Sequence, residues 1–343
     1  MKKILIVTLL AFLGFSSVFA GYGYYGDAFL VAGKSSQSIA MGGTGLTSLN
    51  GIISVISNPA GLSGYKNKEL YTQYNNLYGL AAQNSIGFSM PFGDYQIGGM
   101  INTVGVQLER RPDIITTMPN INDRREYVRD LLDLETFNDF ESALLFSIAR
   151  EIPLDIKLGW SYDRFTIYFQ YGANLKLIYK SLDNASAIGG GLDAGVRLLV
   201  PGNEVFYIKN LGMLSFGLNV ENIIQSPIVW INRQWNDNGN MRVITGIALH
   251  QPLRFMSSEL ILALDTYLFE SQFFPGYGVR YGGQLNINDF ISLRFGKDFS
   301  SVTGGIGLKL NIPGGKLGID YTIQHHEINW SHLISLSYHW GKK

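Results

Sequence analysis

The chain has 343 residues, with 27 Lys and Arg balancing 27 Asp and Glu, and it contains no cysteine. Neutrality removes any electrostatic basis for nucleic-acid binding, and the missing thiols exclude both a disulfide framework and a lipid-anchoring cysteine. Charged residues make up only 16% of the chain, below a soluble average of roughly 25%, while aromatics reach 13% and glycines number 40.

The amino terminus reads as a secretory signal peptide over residues 1–20. Lys2 and Lys3 precede an apolar stretch over 4–15, and Val18-Phe19-Ala20 forms a small-residue cleavage site. No other run approaches the roughly 18 apolar residues that a helical span requires. Residues 21–66 follow, rich in Gly and Ser, without clean alternation, and closing on Asn58-Pro59-Ala60-Gly61-Leu62. We read them as a compact plug, or hatch, inside a barrel formed by 67–343.

From Leu70 onward apolar and polar residues alternate in short segments separated by polar turns, the period of strands with two unlike faces. The pattern predicts strands near 70–78, 84–91, 95–106, 140–149, 165–182, 189–200, 213–223, 241–253, 259–266, 276–287, 290–298, 301–312, 315–323 and 332–341. This gives an all-β, transmembrane antiparallel β-barrel of about fourteen strands, an even number as bacterial barrels prefer. Residues 156–162 are the weak point, since counting them separately makes the total odd. Short turns at Phe92-Gly93-Asp94, Asn288-Asp289 and Pro313-Gly314 fall at one end, read as periplasmic. Long connections over 107–138, 224–240, 267–275 and 324–331 fall at the other. Residues 183–188 and 299–300 are short where long connections are allowed, and 150–164 and 201–212 are long where short ones are usual. Within the first long connection, Tyr127, Val128, Leu131, Leu132 and Leu134 recur near helical spacing, predicting a short helix over 124–134 at the outer mouth.

Each backbone polar group in hydrocarbon must be paired, which a closed barrel achieves without edges. One row of each strand then meets outer-membrane lipid. The opposite row faces the lumen and carries Asp193, Arg197, Asn219, Glu221, Arg280, Gln284, Arg294, Lys309, Lys316 and Asp320. Mixed signs on one interior face suit mutual pairing or contact with the plug, and lumen-facing glycines leave room for it. Enzyme signatures are weak. Gly33-Lys34-Ser35 ends like a phosphate loop but lacks its first glycine, His325-His326-Glu327 sits in an outward loop, and His339 near Ser335 and Ser337 has no nucleophile elbow. Neither catalysis nor a cofactor or metal is expected.

Ser38-Ile39-Ala40-Met41-Gly42-Gly43-Thr44-Gly45, followed by Asn58-Pro59-Ala60-Gly61-Leu62, resembles the amino-terminal motif of the FadL-like barrels, most closely the PorV/PorQ group. The 175–182 and 191–195 segments resemble that group's mid-barrel hairpin, and Gly318-Ile319-Asp320-Tyr321 with 334–338 its ending. The resemblance implies a fourteen-stranded outer-membrane barrel closed by an amino-terminal hatch, with Met41, Gly42, Gly43, Asn58, Pro59, Ala60 and Gly61 in the hatch motif. In the fatty-acid transporter branch it implies passive transport of hydrophobic small molecules that leave sideways through the wall. In the PorV branch it implies a barrel that binds secreted cargo proteins in type IX secretion. A structural outer-membrane protein without transport is the third alternative. Gly341-Lys342-Lys343 after Trp340 departs from barrels that end on the aromatic.

Overall fold

The computed structural model describes residues 26–110, 117–130, 134–157, 164–224, 226–231, 236–254, 257–270, 279–298 and 301–341. The segment read as a signal peptide lies outside them. Sixteen strands are assigned: β1 Lys68–Leu77, β2 Ala81–Phe92, β3 Tyr95–Glu109, β4 Thr136–Lys157, β5 Arg164–Leu182, β6 Ala185–Pro201, β7 Met213–Glu221, β8 Pro227–Trp230, β9 Asn236–Asn238, β10 Arg242–Leu253, β11 Ser258–Glu270, β12 Arg280–Ile287, β13 Ile291–Lys297, β14 Val302–Ile312, β15 Gly315–His325 and β16 Trp330–Trp340. All but β8 and β9 form a closed antiparallel barrel of fourteen strands, each paired with its neighbour in sequence. Pairing of β1 with β16, from Lys68 opposite Trp340 to Asn76 opposite His332, closes the ring.

The wall is inside out relative to a water-soluble barrel. On β13, Leu293 and Phe295 are 43% and 60% exposed, whereas Ser292 and Arg294 on the opposite row are 1% and 5%. The same inversion repeats on β2, β5 and β16, where Ile86, Leu177 and Ile334 point out and Ser85, Lys176 and Ser335 are buried. A continuous apolar exterior of this extent is unfavourable in water and natural in hydrocarbon.

Strand existence matches the sequence pattern throughout, and the differences lie at the ends. β4 runs on to Lys157 and so includes the first two of the ambiguous residues 156–162 rather than leaving room for another strand. Pro153 sits beyond Arg150, the last β4 residue with a β3 partner, and stays in register with Tyr168 of β5. The long 224–240 connection contains the small β8–β9 hairpin, which pairs with β6 through Ala187–Gly189. The predicted loop helix exists but starts earlier, as α3 over Ile121–Asp130. The turns between β2 and β3, β12 and β13, and β14 and β15 lie at one end of the barrel with Lys68 and Trp340 (the turn end), as does the longer β6–β7 connection. The long β3–β4 and β7–β10 connections lie at the other (the loop end), with the short β5–β6 turn and with Gly26, whose N–H donates to the Asn238 carbonyl.

Candidate functional site

Residues 26–65 are almost entirely buried, and their partners come from lumen-facing side chains around the ring. The segment begins with two short helices, α1 (Ala28–Ala32) and α2 (Ser36–Ala40), and continues into 3-10 turns at Ile52–Ser54 and Pro59–Gly64. Ser35 caps α2 by accepting the Ser38 N–H at 3.3 Å. Gly42 and Gly43 then adopt φ of 71° and 77°, a left-handed conformation that glycine takes without strain. This reverses the chain so that Met41, 1% exposed, packs against Ala248, Ile261 and Ala263. A side chain at wall position Gly282 or Gly296 would collide with the Met41–Gly42 backbone.

The second motif residue cluster is a built turn. The Asn58 side chain accepts the Ala60 N–H at 3.0 Å while donating to the carbonyls of Leu46 at 3.1 Å and Val196 on β6 at 3.3 Å. Pro59 follows at the first helical position, where its missing N–H is harmless. The Gly61 carbonyl accepts the Gly51 N–H at 3.0 Å. Wall glycines 172 and 195 leave the space that Pro59 and Asn58 fill.

The lumen-facing charges form clusters, and Asn222 links those of Arg242 and Lys176. Arg242 bridges Asp27 at 2.6 Å and Glu221 at 2.8 Å, and Asn222 donates to the same Asp27 oxygen at 2.7 Å. Lys176 pairs with Asp193 at 2.7 Å, and Asp193 also accepts the Asn222 backbone N–H at 2.9 Å. Arg294 pairs with Asp320 at 2.6 Å and donates to Gln284. Arg280 lies 3.3 Å from Asp298 and 5.0 Å from the Tyr267 ring centroid. Arg197 behaves differently: its guanidinium donates to the carbonyls of Thr47 and Leu49 and to the side chains of Asn50 and Gln170. Lys309 shares the inward row but stands at the turn-end mouth, where it and Lys316 both reach Asp289 at 3.1 and 2.6 Å. Burial acts upward on the Asp289 carboxyl, but these two lysines outweigh it and hold the group below its ordinary range.

Three anchors escaped the sequence reading. Asp265 on β11 accepts the N–H groups of Gly45 and Leu46 at 2.8 and 3.0 Å, and Glu69 on β1 accepts that of Ile52 at 2.7 Å. Lys34 donates to the Gly43 carbonyl at 2.8 Å. Burial foremost, and then the Arg280 charge, lower the Lys34 amine to about 7. An inward carboxylate looks the same in sequence whether it meets a wall neighbour or a backbone 200 residues away, so only weak signals marked these positions. His325 and His326 part company, packing against Trp330 and Tyr78 respectively.

Opposite Met41, the outer surface carries an apolar depression of about 330 Å³ lined by Leu214, Phe216, Ile247, Leu262, Tyr281 and Phe295. The wall between is thin, because its inward residues here are Ser215, Ala248, Ala263 and Gly282.

No protein-family model matches the chain, and no curated protein does. Among solved structures, the chain is similar to the TodX monoaromatic hydrocarbon channel (a deltaS2 mutant), with 10% identity, coverage of 91% of this chain and 100% of that one, and a TM-score of 0.51. A Pseudomonas aeruginosa FadL homologue follows at 10% identity, 94% and 99% coverage and a TM-score of 0.47. The CymD monoaromatic hydrocarbon channel gives 11%, 91% and 98%, and 0.37. The likeness to TodX is one of fold, and the two lower scores add nothing to it.

Proposed function

We propose that this protein is an outer-membrane channel for passive transport of hydrophobic small molecules, closed by residues 21–66 as a hatch. The observation that carries this reading is the sector around Met41. There the polar lumen gives way to an apolar cluster of Met41, Ala248, Ile261 and Ala263, backed by the thin wall and the apolar depression outside. A hydrophobic solute needs a dry route of this kind, because polar groups elsewhere in the lumen would be desolvated by it. The fold shared with a hydrocarbon channel agrees with the assignment. A secreted chain, as the leader over 1–20 implies, would reach the outer membrane before inserting.

On its motifs we place the chain nearest the PorV/PorQ group. The cargo-binding alternative in type IX secretion rests on that resemblance, and α3, with Ile121 exposed at the loop end, is the surface it would use. Photolabelling separates the readings. A diazirine-bearing alkane added to the purified barrel in lipid nanodiscs is expected to label Met41 and Ala263 as well as the outer row. Labelling confined to outward residues would overturn the hydrophobic route.

A further inference from the structure

Two open chambers lie in the lumen on either side of α2. The loop-end chamber, about 320 Å³, is lined by Lys34, Ile39, Tyr78, Arg242, Arg280 and Asp298. The turn-end chamber, about 310 Å³, is lined by Gln37, Asp289, Lys309, Lys316, Asp320 and His339. Ile39 faces the first and Gln37 the second, so this five-residue helix is the partition between them.

The seat of α2 is polar and narrow-chained. Ser36 and Thr322 hydroxyls lie 2.8 Å apart, Thr322 donates to the Ser36 carbonyl at 2.9 Å, and Thr303 donates to that of Ala40 at 3.1 Å. Gln73 accepts the Ser36 N–H at 2.6 Å, and Gln37 donates to Asp320 at 3.2 Å. Next to these, Gly305 on β14 leaves the space into which Ala40 fits. The wall groups that bond the helix are hydroxyls, an amide and a carboxylate, the Tyr71 hydroxyl among them at 3.4 Å from the Ser36 nitrogen, and water readily solvates these. This is the opposite of the seat under Met41.

We infer that the lumen holds a second, hydrophilic route, in which displacement of α2 from β14 and β15 joins the two chambers into one passage along the wall for small inorganic anions. The sign follows from the turn-end chamber, where Lys309 and Lys316, together with the Arg294 that pairs with Asp320, outnumber Asp289 and Asp320, whereas Arg242 at the loop end is already matched by Asp27 and Glu221. A narrow passage lined by excess positive charge concentrates anions. The two routes adjoin at Met41, which ends α2 and whose side chain lies in the apolar cluster, but the hydrophilic route is read by ion conductance alone and does not depend on the hydrophobic one.

The absence of cysteine allows a reversible test. In the double variant Ser36→Cys/Thr322→Cys, a disulfide would tie α2 to β15 where the two hydroxyls now meet. Conductance is recorded in planar bilayers with a potassium chloride gradient. The reduced form and, separately, Thr322→Val are expected to conduct with chloride favoured over potassium, and oxidation is expected to lower the open fraction of the double variant about tenfold. Lys316→Glu should reduce the chloride preference. Because reduced and oxidised states belong to the same folded molecule, a folding defect cannot imitate the result. Conductance indifferent to oxidation, absent from both variants, or selective for potassium would overturn the proposal.

Discussion

The two halves of the inner segment are attached to the same barrel by different chemistry. Residues 45–58 are gripped by Arg197, Asp265, Glu69, Asn174 and Asn219, whose charged or amide groups bond directly to the segment's backbone. They also pack an apolar core in which Leu49, Ile52, Val55 and Leu62 meet Tyr71, Met100 and Ala149 of the wall. Residues 35–42 depend mainly on neutral hydroxyl and amide bonds to Gln73, Thr303 and Thr322. Hydrogen bonds to charged groups contribute more than neutral ones, and apolar burial is present mainly on the first side. The far half is thus a fixed anchor and the near half a displaceable element.

Breaking the anchor should have the largest effect. Arg197→Met leaves acceptors at Thr47, Leu49, Asn50 and Gln170 without their donor and is expected to cost about 4 kcal/mol, read from urea unfolding in lipid vesicles by tryptophan fluorescence. Asp265→Ala orphans the Gly45 and Leu46 N–H groups and should cost about 2–3 kcal/mol in the same assay. Thr322→Val on the near half should cost only about 1 kcal/mol, while proteolysis within residues 33–43 accelerates and that within 45–64 does not. If Thr322→Val destabilised the barrel as much as Arg197→Met, the contrast between halves would collapse.

The smallest effect concerns Lys34 and sharpens the comparison from the near side. Its folded pKa, about 7, lies below the ordinary 10.5, because burial disfavours the charged amine. The unfolded chain therefore binds more protons between these values, and stability rises with pH across that window. The penalty is complete below about pH 7 and fades toward the unfolded pKa. Lys34→Met should accordingly stabilise the protein most at about pH 6 and progressively less at about pH 9, measured as the difference between the two urea midpoints.

These contrasts bear on how much could be read from the sequence. The strands were legible because a period of two has no rival interpretation over so many segments. The charged lumen row was legible for the same reason, down to Asp193, Glu221, Arg280, Arg294 and Asp320. What alternation cannot encode is the identity of the partner. Arg197 looked equivalent to Arg294, yet one holds backbone carbonyls of the inner segment and the other a wall carboxylate. Lys309 shared their row but lay too near the turn to be enclosed. Asp265 and Glu69 were passed over because their acceptor role depends on contacts spanning up to the length of 220 residues. The β8–β9 hairpin is only a few residues per strand, too short for any periodic signal.

Closure of the ring by β1 and β16 has a kinetic consequence. The inner segment precedes β1, yet its partners extend from Glu69 to Thr322, so most of its contacts exist only once distant strands have arrived. Such non-local pairing requires loop closure before any stabilisation is gained, which slows folding. Enclosure of the segment and closure of the ring therefore draw on the same late-arriving strands, and pairing of β1 with β16 is expected to set the rate at which the chain matures.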